Sequence, residues 1–106
     1  MSDLPLAGSI PKELGALGAL QKLVLEKKNL TGKGLIPAEV GELAALEYLN
    51  LFGNQLSGPV PPTLGNLAVL KYLVLRHNRL SGTIPEELGK LTALELLSLS
   101  SNNLSG

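Results

Sequence analysis

The sequence is 106 residues long, carries nine basic and nine acidic residues, and contains no cysteine. A formal net charge of zero removes the electrostatic basis for binding nucleic acid or an anionic membrane, and the lack of cysteine excludes disulfides, thiolate metal sites and cysteine nucleophiles. Leucine is the most frequent residue whereas Phe, Tyr and Trp together supply only 3% of the chain, so the core must consist mainly of leucine. The N-terminal residues have no export-signal pattern, and no apolar run reaches membrane-spanning length, so we expect no membrane insertion.

One pattern recurs along the chain at a fixed interval. Eleven pattern positions of residues 68–91 have equivalents in residues 44–67; ten of these eleven are identical, and the other exchanges Ile84 for Val60. A match of this density predicts one supersecondary unit that is copied along the chain. We therefore expect a single domain made of a partial repeat over 4–17, a first repeat over 18–43 that is two residues longer, repeats over 44–67 and 68–91, and a truncated repeat over 92–106.

Near the start of each unit is a short stretch in which leucines alternate with other residues. In the third unit, Leu73 and Leu75 alternate with Tyr72, Val74 and Arg76, which is the period of a strand with one buried face. The same pattern predicts strands over 22–26, 48–52, 72–76 and 96–100. Because one unit cannot bury its leucines alone, we expect the units to stack and these strands to form one parallel sheet.

The remainder of each unit reads as a turn followed by a short helical segment. Residues 77–82, HNRLSG, are rich in residues that tolerate turn conformations. Residues 84–91, IPEELGKL, predict a single helical turn, with Pro85 at its first position and Gly89 available to end it. Strand, turn and helical segment together make one coil of a solenoid.

These units resemble the leucine-rich repeat family, in its plant-type 24-residue class. The family pattern LxxLxxLxLxxNxLxGxIPxxLxx is matched at every fixed position from Leu67 through Pro85. The resemblance implies an α/β fold: a right-handed β/α solenoid in the form of a horseshoe arc, with a short parallel sheet on the concave face and single helical or 3-10 turns on the convex face. It also implies a mainly extracellular family of recognition modules, found in receptors and defence proteins. The residues themselves do not fix a compartment.

The resemblance assigns a structural role to the repeated asparagine of the pattern, which forms a ladder by hydrogen-bonding the backbone of adjacent coils. Asn54, Asn78 and Asn102 occupy this position. The first repeat has Lys28 there instead, and an ammonium group cannot accept a hydrogen bond from a backbone N–H. We therefore expect the ladder not to continue through the first repeat.

Functional information lies in the strand positions that the pattern leaves free, because these side chains line the concave face in columns. The columns contain all three aromatic residues and the only histidine of the chain. Exposed aromatic and arginine side chains on a rigid face are the usual anchors of recognition. We therefore expect a protein or peptide ligand to bind a site formed by Lys22, Tyr48, Asn50, Phe52, Tyr72, Val74, Arg76 and His77.

Other interpretations of the same residues remain open. Tyr48 and Tyr72 can be a cross-strand packing pair, or they can be stacking platforms for a carbohydrate. The chain can also be a structural unit that forms homo-oligomers through the open ends of its solenoid. The sequence gives no support to an enzyme, since His77 has no acidic residue in its column and no phosphate-binding loop is present. We expect no cofactor and no metal site.

Overall fold

The computed structural model describes residue 14 and residues 16–25 and 35–105. The partial repeat predicted over 4–17 lies largely outside these residues, and so does Lys28. The described part contains seven short strands: β1 (Lys22–Val24), β2 (Tyr48–Asn50), β3 (Ser57–Gly58), β4 (Tyr72–Val74), β5 (Arg79–Thr83), β6 (Leu96–Ser98) and β7 (Asn103–Ser105). Between them lie the 3-10 helices Ala38–Glu42, Pro62–Asn66 and Glu86–Lys90. These elements recur from coil to coil, as in a solenoid.

The first sheet is parallel and has the order β1-β2-β4-β6, as the repeat pattern predicts. Tyr48 pairs with Tyr72, and Tyr72 pairs with Leu96, so these strands are offset by the length of one regular repeat. Lys22 pairs with Tyr48, which makes the offset between β1 and β2 two positions longer. The additional two residues of the first unit are therefore absorbed outside the sheet, which keeps the free strand positions aligned in columns.

The strands are shorter than the sequence pattern predicts, three residues each instead of five. Hydrogen bonding continues for one further residue, because the Leu51 N–H donates to the Val74 carbonyl at 2.8 Å and the Leu75 N–H donates to the Ser98 carbonyl at 2.8 Å. Two residues later the backbone enters the left-handed region, with φ values of 73° at Gly53 and 60° at His77. This reversal ends each strand.

A second parallel sheet, with the order β3-β5-β7, was not predicted by the sequence pattern. It contains most of the stretch 77–82 that the composition assigned to a turn, because Arg79–Thr83 is a strand. Its register differs from the repeat length, since Ser57 pairs with Arg79 and Ser81 pairs with Asn103, and both offsets are two positions shorter than one repeat. Pairing with the neighbouring coil therefore makes a strand of residues with turn composition, although Gly82 within it keeps a φ of 81°.

The helical segments follow a proline in each coil. Pro85 has φ −62° and ψ 135° and is the N-cap of the helix Glu86–Lys90, so it precedes the helix and is not its first residue. Gly89 lies inside the helix, and Leu91 is the C-cap, whose N–H donates to the Leu88 carbonyl. The extended backbone fixed by Pro85 sets where the helix begins, and Gly89 does not end it.

The core is a stack of leucines, and the repeated asparagines connect its coils. Leu49 and Leu73 are fully buried. The Asn78 Nδ2 group donates to the carbonyls of Leu51 and Leu75, both at 3.0 Å, while Asn78 Oδ1 accepts from the Leu56 N–H at 3.1 Å. One side chain thereby satisfies three backbone groups on two coils. Equivalent bonds join Asn54 to Leu25 and Asn102 to Leu75 and Leu80.

Candidate functional site

The first aromatic cluster lies on the concave face at the N-terminal end of the strands. Alternation in β2 and β4 directs Leu49 and Leu73 into the core and leaves Tyr48 and Tyr72 half-buried on the opposite face. The two tyrosine rings have centroids 5.4 Å apart and are tilted by 49°. The ammonium group of Lys22 lies 5.4 Å from the Tyr48 centroid, within cation–π range. The sheet register thus converts three equivalent repeat positions into one contiguous surface.

Charged side chains border this cluster. Lys71 Nζ lies 3.8 Å from Glu47 Oε1, and the Tyr72 hydroxyl donates to Glu95 Oε1 at 3.4 Å. Both carboxylates are exposed enough for water to compete, so these contacts orient the side chains more than they stabilise the fold. A shallow depression of about 410 Å³ results, lined by Gln21, Lys22, Glu47, Tyr48, Lys71 and Tyr72.

The tilt of the tyrosine pair bears on what the depression can bind. A sugar ring stacks best on a flat aromatic face, whereas two rings inclined at 49° do not present one common plane. Inclined rings with a polar border instead enclose an apolar side chain while leaving hydrogen-bonding groups at the margin. The pair therefore offers apolar surface in two inclined planes within a polar border.

The second cluster lies at the C-terminal end of the same strands. The Phe52 and His77 rings meet edge to face, with centroids 5.1 Å apart and an interplanar angle of 79°. The Arg76 guanidinium carbon lies 5.5 Å from the Phe52 centroid, and Arg76 Nη2 is 3.4 Å from His77 Nε2. Arg76 and His77 are both exposed, whereas Phe52 is half-buried. This end of the concave face is therefore basic and aromatic.

His77 adopts a backbone conformation that side chains other than glycine rarely take. Its φ is 60°, and the equivalent residues of the neighbouring coils, Gly53 and Ser101, have φ values of 73° and 59°. A left-handed conformation costs a residue with a Cβ about 1–2 kcal/mol. The reversal at the strand end therefore uses this conformation at all three of these coils, and it fixes the direction in which the imidazole projects.

The row between the two clusters differs from the sequence prediction at one residue. Val24 and Val74 are half-buried on the concave face. Asn50, predicted to be an exposed contact residue, is only 8% exposed, and its Oδ1 accepts a hydrogen bond from the Phe52 N–H at 3.0 Å. Asn50 is therefore nearly buried, and its Oδ1 atom stabilises the end of the strand.

Sequence reasoning on the free strand positions missed part of this surface. Gln21, Glu47, Lys71 and Glu95 precede each strand of the first sheet and form the border of the tyrosine cluster. The sequence did contain a signal for them, because each of the four residues directly precedes the first residue of a strand in its repeat. In the described part of the chain, no three His, Asp or Glu side chains are grouped to hold a metal ion, and no helix has the length and apolarity to cross a membrane.

Comparison with known families places the fold and the repeats in one class. A sequence profile described as leucine rich repeat matches residues 61–104, and another of the same description matches residues 45–67. Together the matched segments cover more than half of the chain. The chain belongs to the leucine-rich repeat family. A comparison with curated protein sequences gives no significant match to an individual protein.

Solved structures show the same solenoid in plant proteins. The structure of PEPR1–AtPEP1 matches with a TM-score of 0.90 and 45% identity, covering 93% of this chain and 14% of that chain. A plant ice-binding protein matches with a TM-score of 0.86 and 40% identity, covering 94% and 32%. The Arabidopsis receptor kinase HAESA, solved with the peptide hormone IDA and the co-receptor SERK1, matches with a TM-score of 0.80 and 36% identity, covering 92% and 16%. The chain thus spans less than a third of each of these proteins.

Proposed function

We propose that this chain is a non-catalytic recognition module that binds a protein or peptide on its concave strand face. The observation that carries the proposal is the gathering of Tyr48, Tyr72, Phe52, Arg76 and His77 into two clusters on one face. Binding energy concentrates in aromatic and arginine side chains that a rigid scaffold holds in place. The solenoid supplies that rigidity, since the first sheet fixes the strands on which both clusters lie.

The chemistry of the two clusters favours a peptide segment over a small molecule. The tyrosine cluster offers half-buried ring surface within a charged border, which suits an apolar side chain whose backbone stays hydrogen-bonded. The second cluster, which contains Arg76, offers a cation at the other end of the same face. HAESA, which shares the fold, is a receptor kinase that was solved with a peptide hormone. That likeness supports a peptide ligand without naming one.

Selection from a displayed peptide library tests the proposal. Peptides enriched on the wild-type chain should lose binding to the variant Tyr48→Ala, Tyr72→Ala, Arg76→Ala. The matched control is Arg79→Ala, which removes an exposed arginine from β5 in the second sheet. Circular dichroism verifies that each variant is folded. Peptides that bind the triple variant as tightly as the wild type would remove the concave-face proposal.

A second candidate function, binding to ice, is favoured by a feature of the second sheet. The register pairs Thr83 with Ser105, and both residues are exposed, so two neighbouring coils bring their hydroxyls side by side. Adjacent hydroxyls can order water, and a plant ice-binding protein has the same fold at 40% identity. The candidate predicts that the wild type inhibits ice recrystallisation, that Thr83→Lys abolishes the inhibition, and that Tyr72→Ala leaves it intact. Growth of ice crystals at the same rate with and without the wild type would eliminate this candidate.

A further inference from the structure

A group of hydrogen-bond donors collects beside the second aromatic cluster, across two coils. Arg76 and His77 follow β4 in the chain. In the register that pairs Tyr72 with Leu96, Ser100 and Ser101 are the equivalent residues after β6. The His77 N–H donates to the Ser100 carbonyl at 3.2 Å, so the two coils remain adjacent here. All four side chains are exposed and none is acidic. At the spacing of neighbouring strands, about 4.8 Å, the four side chains border one small area.

Arg76 is already oriented for an anion. Its guanidinium group lies over the Phe52 ring at 5.5 Å, and a guanidinium stacked on an aromatic face keeps its N–H edge free for oxygen acceptors. Arg76 Nη2 lies 3.4 Å from His77 Nε2. Because guanidinium can only donate, Nε2 is the acceptor in this contact. Nδ1 is therefore the imidazole nitrogen that remains for a ligand.

The charge of this cluster has no balancing carboxylate within the described residues. Among the described residues, an ion pair joins Lys71 to Glu47, but this pair lies beside the tyrosine cluster at the other end of the strands. The Arg76 side chain contacts Phe52 and His77, neither of which is anionic. An exposed cation that an aromatic ring holds in place, with no carboxylate against it in the described part of the chain, favours a ligand of negative charge by electrostatic complementarity.

We propose that Arg76, His77, Ser100 and Ser101 form a subsite for a tetrahedral oxyanion, carried as a sulfate or phosphate ester on a bound peptide. A guanidinium edge, an imidazole N–H and two hydroxyls provide more donors than the two oxygens of a carboxylate require, whereas a tetrahedral ester presents three terminal oxygens. The subsite rests on the proposed function for the peptide that carries the ester. The oxyanion itself binds through contacts that are independent of the tyrosine cluster.

Titration of the isotopically labelled chain, followed by NMR, tests the subsite with defined small probes. We expect the amides of His77 and Ser101 to shift in a saturable manner with sulfotyrosine amide and with phosphotyrosine amide, and to remain unshifted with tyrosine amide. The ester that binds with the higher affinity shows whether the subsite prefers a sulfate or a phosphate group. Glutamate amide, which carries a carboxylate, should bind at least about tenfold more weakly than the better ester.

Three substitutions keep the test independent of folding. Arg76→Ala removes an exposed side chain and should weaken ester binding about tenfold or more, which corresponds to the loss of a charge-assisted hydrogen bond. Arg79→Ala is the matched control and should leave ester binding unchanged. His77→Gly removes the imidazole and suits the left-handed backbone at φ 60°, so a loss of ester binding in this variant is not caused by unfolding.

Three results would overturn the subsite: no saturable shift with either ester, equal weakening by Arg76→Ala and Arg79→Ala, or binding of glutamate amide as tight as that of both esters. Failure of the peptide-binding proposal has a different signature. If library peptides bind through Tyr48 and Tyr72 while the esters do not, peptide recognition stands and the subsite is wrong. If the esters bind and depend on Arg76 but no peptide is captured, the subsite stands and peptide recognition is wrong.

Discussion

Gly65 and Gly89 occupy the same position of successive repeats, yet the structure predicts opposite effects of replacing them with alanine. Gly65 lies in the 3-10 helix Pro62–Asn66, which packs against the next helix, Glu86–Lys90. A Cβ added at Gly65 would lie 2.9 Å from the backbone carbonyl carbon and from the Cβ of Glu87, and closer still to the Glu87 carbonyl oxygen. Because these atoms belong mainly to the backbone, relief of the clash requires one coil to move away from the other.

The magnitude follows from the cost of inserting a methyl group into a closely packed contact. Gly65→Ala should lower the free energy of unfolding by about 1–3 kcal/mol, or about 4–8 °C in Tm for each kcal/mol in a domain of this size. Gly89 has no atom within 4 Å of the added Cβ, and its φ lies outside the left-handed region. Gly89→Ala should therefore leave stability unchanged or raise it by about 0.5–1 kcal/mol, because alanine has less backbone freedom to lose.

Urea unfolding followed by far-ultraviolet circular dichroism measures both variants. Repeat proteins can unfold coil by coil, so the whole curves are compared, as well as their midpoints. A third variant, Gly41→Ala, meets backbone and side-chain atoms of Thr63 and should behave like Gly65→Ala. Equal midpoints for Gly65→Ala and Gly89→Ala would show that coil spacing on the convex face is not set by glycine contacts, and the reasoning would fail.

Three further predictions concern the ladder, the strand end and the edge of the sheet. Asn78→Ala removes the acceptor of the buried Leu56 N–H, while the Leu51 and Leu75 carbonyls keep their bonds from Asn54 and Asn102; it should lower the free energy of unfolding by about 1–3 kcal/mol in urea titration, whereas exposed Asn103→Ala should not change it. His77→Gly should be about 1 kcal/mol more stable than His77→Ala by the same measurement, since both remove the ring but only alanine keeps the left-handed strain; equal stabilities would contradict this. The leucines of β6, Leu96 and Leu97, are 49% and 44% exposed, so sedimentation velocity should show association that increases with concentration and is weakened by Leu96→Lys. A strict monomer at all concentrations would exclude assembly at this edge.

The repeat pattern predicted the first sheet because its cause is local. Alternation around Leu73 identifies the buried face, and the fixed period of the repeat identifies the partner strand. The second sheet has no such signal, since residues 79–83 have turn composition and become a strand only through pairing with Ser57 and Asn103 on other coils. Tertiary contact overrides local preference there.

The same distinction applies to the candidate site: some of its contacts can be predicted from the sequence and others cannot. The columns correctly brought Tyr48 beside Tyr72, because register alone determines that neighbourhood. Burial of Asn50 depends on a hydrogen bond to the Phe52 N–H, and the column pattern contains no information about it. The contact between Phe52 and His77 likewise depends on the left-handed backbone at His77, which its residue type would not suggest.

The separation of the two clusters sets the size of a ligand that uses both. Tyr72 and Arg76 are four residues apart, which is about 13 Å at the rise of an extended chain. A single amino acid reaches one cluster, so the free esters should bind weakly. A peptide with an apolar residue about four positions from the ester spans both clusters and gains from the high effective concentration of its second contact. Calorimetry on peptides that differ only in this spacing should show the tightest binding near four residues, and affinity that is independent of spacing would mean that the clusters serve separate ligands.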